Sequence, residues 1–139
     1  MNNGVTAGLM EVGDTLTVTF SETIASAVGP GTAITETDPT GTGNDRLAIA
    51  GLTAVAGVVT GSNLYVVTDN TSAAFASSSL SSVGAAVTAR VAGACTGTCV
   101  ANLAAGVSAL VFTPDPTLAD AAGNTATGSI TTVATFRLF

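Results

Sequence analysis

The chain has 139 residues, the size of one domain, with nine acidic residues, three basic residues and no histidine. A net charge of −6 on a chain only 9% charged excludes a surface that neutralises rows of phosphates, and with it nucleic acid. It also removes any attraction to an anionic membrane.

The opening MNNGVTAGLM has neither the basic n-region nor the apolar h-region of a signal peptide. The first clear element is residues 16–21 (LTVTFS). Leu16, Val18 and Phe20 fall on one side and Thr17 and Thr19 on the other, the period-2 pattern of a strand with one dry face. Strands are next expected at Thr32–Thr37 and Arg46–Ile49, then at residues 64–68 (LYVVT), which are β-branched and aromatic. Residues 72–82 hold a serine run and read as a short helical turn. Residues 86–91 (AVTARV) alternate again, and residues 108–113 (SALVFT) and 130–139 (ITTVATFRLF) complete a set of seven strands.

Turn formers separate them: VGPGT, DPTGTGND, PDPT and DAAGN. The neutral runs at residues 47–68 and 91–114 are long enough to span a bilayer, but both are broken by glycines and Asn and are not read as spans. Short strands, frequent turns and no 3.6-residue period predict a single all-β domain over residues 1–139, an antiparallel β-sandwich.

The missing residues limit the chemistry. Without His there is no Ser-His-Asp or Cys-His nucleophile system and no His-ligated zinc. The three basic residues are Arg46, Arg90 and Arg137, so there is no lysine for a Schiff base or a phosphate loop. With no tryptophan, sugar-stacking platforms are not built in the usual way. The chain is therefore expected not to be an enzyme.

Three features carry binding or structural chemistry. Cys95 and Cys99 are spaced C-x₃-C around Gly97, which predicts a small disulfide loop at a hairpin tip and an oxidising compartment. Two acidic loops supply calcium-type oxygen ligands, Glu36, Asp38 and Asp45 in the first and Asp115, Asp120 and Asn124 in the second. Turn chemistry, in which Asp and Asn accept bonds from nearby backbone, is the favoured reading of both; no cofactor is otherwise expected. The last strand is apolar on both faces at its end, through Phe136, Leu138 and Phe139. It is either the final core strand or a strand that adds to a neighbour's sheet edge.

The stretches GDTLTVTFSE (Gly13 to Glu22) and LADAAGNTATG (around Asp120 to Asn124) resemble the bacterial Ig-like domains of surface and adhesin proteins. The resemblance implies an Ig-like, Greek-key sandwich that is extracellular, at the cell surface or secreted. It implies a non-catalytic structural or adhesive module, with neighbouring domains, identical subunits, a surface receptor or a glycan as partners. Two alternatives accompany it: a self-assembling subunit of a filament or surface layer that exchanges its C-terminal strand, and a carbohydrate-binding module.

Overall fold

A computed structural model describes residues 6, 9–25, 32–39, 44–61, 66, 71–78, 80–99 and 108–135. Ten strands form: β1 (Thr15–Thr19), β2 (Thr32–Thr37), β3 (Arg46–Ile49), β4 (Thr53–Val59), β5 (Ser72–Ser78), β6 (Leu80–Val83), β7 (Ala86–Arg90), β8 (Cys95–Gly97), β9 (Val111–Pro114) and β10 (Ile130–Thr131). No helix occurs among the described residues. The strands make two antiparallel sheets, β1-β7-β6 and β10-β9-β4-β3-β2-β5-β8.

The all-β sandwich expected from the pattern is the architecture observed. One buried cluster joins Leu16, Leu80, Val87 and Ala89 of the small sheet to Ile34, Leu47, Ile49, Val58, Phe75 and Phe112 of the large one. This is how two sheets, each with one apolar face, remove those faces from water. Phe20 and Phe112 meet edge to face across the layers, with ring centroids 6.2 Å apart. Within the large sheet, β2, β3 and β4 follow one another and β5 returns beside β2. That is a Greek key.

β1 and β7 behave as their alternation predicts. Leu16 pairs with Ala89 and Val18 with Val87 on the inner side, while Thr17 and Thr88 join hydroxyls at 2.8 Å on the outer side. The GDT turn before β1 is held by its own side chain: Asp14 is fully buried and its carboxylate accepts the Glu11 amide at 2.6 Å.

Where a helical turn was expected over residues 72–82, residues 72–78 form β5 and residues 80–82 begin a β6–β7 hairpin. Ala73 and Phe75 are buried two residues apart, a period of two that the surrounding serines obscure. β4 also goes beyond the expected set. Its pairing with β9 shifts between Thr53 and Val58, and Gly57 sits at φ +66° with the Leu47 carbonyl oxygen 2.5 Å from where a Cβ would lie. Only glycine permits that bulge. Among the described residues of the expected last strand, strand pairing covers Ile130–Thr131, after which the Thr132 hydroxyl takes the Leu110 amide at 2.9 Å. Of residues 64–68 only Val66 is described, fully buried in a bend. The assembly residues Phe136, Leu138 and Phe139 lie outside the described residues.

Candidate functional site

β2 and β3 pair Glu36 with Leu47 and Thr37 with Arg46. Inward and outward positions alternate, so Ile34 and Glu36 share the buried face of β2 as Leu47 and Ile49 share that of β3. The next positions of the hairpin, Asp38 after β2 and Asp45 before β3, continue on that face. Glu36, Asp38 and Asp45 are accordingly 4%, 2% and 0% exposed. The first acidic loop therefore places its carboxylates inside the end of the sandwich, whereas Arg46 between them faces solvent.

Asp45 is firmly oriented. Its Oδ2 accepts the Val66 amide at 3.0 Å, and its carbonyl accepts both the Thr60 amide at 2.9 Å and the Thr60 hydroxyl at 3.0 Å. Thr60 in turn accepts a short bond from the Ser108 hydroxyl through its carbonyl. The Asp38 amide donates to Thr71 at 3.1 Å. The Oε1 of Glu36 is buried and has no hydrogen-bond partner. Burial, helped by the nearby negative charge of Asp45, pushes the Glu36 carboxyl up to about 8. Among the described residues, no three Asp, Glu, His or Cys side chains form a metal-holding group.

The second acidic loop is built from the same residue types and does other work. Asp115 Oδ1 accepts the Thr117 amide at 2.8 Å and its hydroxyl at 2.6 Å. Asp120 Oδ1 accepts the amides of Ala122 and Asn124, both at 2.8 Å, and its Oδ2 accepts the Asn124 side-chain amide at 2.8 Å. Gly123 at φ +86° completes this tight turn, closed by the Ala119–Thr125 bridge. Bonds from Asn124 hold the Asp120 carboxyl below its ordinary range. Hydrogen bonding to Asp120, and its charge, raise the Glu22 carboxyl.

Glu22 belongs to the FSE end of the first motif and Asp120 to the DAAGN turn, so the two stretches that carry the resemblance touch. The Ala25 amide reinforces the contact, donating to Ala119 at 2.9 Å. No spacing signal marks the Glu22–Asp120 pair, because 98 positions of chain separate them.

Cys95 and Cys99 are joined, with Cα atoms 5.9 Å apart. The loop is not at a hairpin tip. Cys95–Gly97 is an edge strand paired to β5, with Gly97 at φ +88° and the Ser72 carbonyl oxygen 2.7 Å from where its Cβ would lie. The Thr98 amide also donates to Ser72.

A groove of about 310 Å³ runs between the rim of the small sheet and the β9–β10 side of the large one. Leu16, Val18, Val58, Leu110, Phe112 and Ile130 line it. Ile130 is 55% exposed and Val133, just beyond it, is completely exposed. No helix among the described residues is long and apolar enough to cross a membrane. Neither protein-family models nor curated proteins nor solved structures match the chain.

Proposed function

We propose that the chain is a non-catalytic, extracellular structural or adhesive module of the bacterial Ig-like kind. The observation that carries the reading is the use made of the motif acids. Asp14 and Asp120 hold backbone amides of turns at the ends of a two-layer sandwich, which is the work of a scaffold. The Cys95–Cys99 bond supports an oxidising compartment. Light scattering after size-exclusion chromatography of the oxidised protein tests the reading. A single monomeric mass over a wide concentration range is expected, and concentration-dependent polymers would overturn it.

Those polymers would favour a second reading, assembly of identical subunits through the C-terminal strand. The groove beside β1 supports it. Among the described residues β1 pairs only with β7, which leaves its other side as a rim, and exposed Ile130 and Val133 lead into the apolar end sequence with Phe136, Leu138 and Phe139. Deleting residues 135–139 would then abolish the polymers and leave the β circular-dichroism spectrum unchanged. Polymers that survive the deletion would remove this route.

A further inference from the structure

We infer that the inner end of the β2–β3 hairpin binds a hard divalent cation of the calcium type, with Glu36 and Asp45 as its carboxylate ligands. Two independent observations meet there. The first is position: Glu36, Asp38 and Asp45 share one buried face at the hairpin end, each less than 5% exposed. The second is Glu36 itself, whose buried Oε1 accepts no hydrogen bond and whose neighbouring charge is the like charge of Asp45. Burying a carboxyl oxygen without a donor is unfavourable, and a second carboxylate beside it adds repulsion. A cation between Glu36 and Asp45 reverses both terms at once.

Asp45 is suited to the role because the Val66 amide and the two bonds from Thr60 fix its backbone and one carboxyl oxygen. The donor chemistry selects the ion. The chain has no histidine and both cysteines are in a disulfide, so only oxygen ligands are offered. Oxygen-only sites favour calcium- and magnesium-type ions over zinc or copper. No three acidic side chains form a metal-holding group among the described residues, so backbone, hydroxyl and water oxygens complete the shell. A calcium ion tolerates such irregular coordination better than magnesium does. Two carboxylates place the affinity in the weak range of extracellular modules, roughly 0.1–1 mM.

The test uses the full oxidised chain after EDTA treatment. Thermal melts are recorded across a CaCl₂ series and repeated with NaCl at matched ionic strength; calorimetric titration with CaCl₂ gives the stoichiometry. A saturable rise in Tm of about 5 °C is expected at ten times the dissociation constant. One ion should bind per chain, and the rise should vanish in Glu36→Gln, which keeps the side-chain shape. Asp45→Asn retains an oxygen acceptor for the Val66 amide and is the second variant should Glu36→Gln fail to fold. No rise with calcium, a rise that NaCl reproduces, or a rise unchanged in the folded variants would each overturn the inference.

Discussion

The two acidic loops of this molecule use the same side chains to opposite ends. In the second loop the half-buried Asp120 carboxylate accepts amide after amide, and the turn is stable because each of its oxygens has a donor. At the β2–β3 end, Glu36 is inside the sandwich and its Oε1 has none. Both stretches look alike as sequence, an Asp-rich run with Gly and Asn. What separates them is strand parity. Glu36 follows Ile34 by two positions on a strand whose inner face is buried, whereas Asp120 lies in a turn with no inner face.

pH should separate the two loops most strongly. In metal-free protein the Glu36 carboxyl, raised to about 8 from an ordinary 4.5, stays protonated in the folded state while the unfolded chain ionises. Its contribution is fully present below pH 4.5 and is lost as pH rises toward 8, with Asp38 and Asp45 facing the same site. The loss is on the order of 5 kcal/mol for a shift of this size. Urea denaturation in EDTA across that window should show it, and Glu36→Gln should flatten the slope. An unchanged slope in the variant would assign the pH dependence elsewhere.

A smaller effect is expected from the apolar partner of the same end. Leu47 lies opposite Glu36 on β3 and is 1% exposed. Leu47→Ala should cost about 3 kcal/mol in denaturant unfolding, because the cavity it leaves is enclosed by both sheets. A cost below 1 kcal/mol would mean that the hairpin end relaxes into the space.

The smallest effect tests the exposed loop. Asp120→Asn should return the Glu22 titration, followed by NMR, from its raised position toward the ordinary carboxylate range, because it removes both the carboxyl–carboxylate hydrogen bond and the charge that Glu22 meets. Melting should move little, since Asn keeps one acceptor oxygen for the turn. A Glu22 titration that stays put would separate the two motifs.

Much of the framework was legible in the sequence. The alternation at Leu16, Val18 and Phe20 and at Val87, Ala89 and Val91 places two core strands, and all six side chains are buried or half-buried. β5 was not legible because Ala73, facing in, and Ser72 and Ala74 beside it are alike small, so the period of Ala73 and Phe75 stands out only once β2 is beside them. β4 was hidden by Gly57, which reads as a turn former and is in fact a bulge. In the candidate site, the acid types could be read but their burial could not. The parity of Ile34, Glu36 and Asp38 was the available signal. The Glu22–Asp120 contact depends wholly on how the sandwich closes.

The two margins of the large sheet have a consequence for crowding. β8 is three residues long and ends in the disulfide loop; β10 is two residues long and is followed by irregular backbone. Among the described residues neither offers an incoming chain more than a few backbone groups, which makes these margins poor templates for growth in solution. The small sheet ends on β1 and β6, of five and four residues. At high concentration, then, the molecule is asymmetric in its stickiness. Among the described residues its broad layer ends in the shorter strands, and the narrow layer carries the longer margins, at which fibrous association would begin.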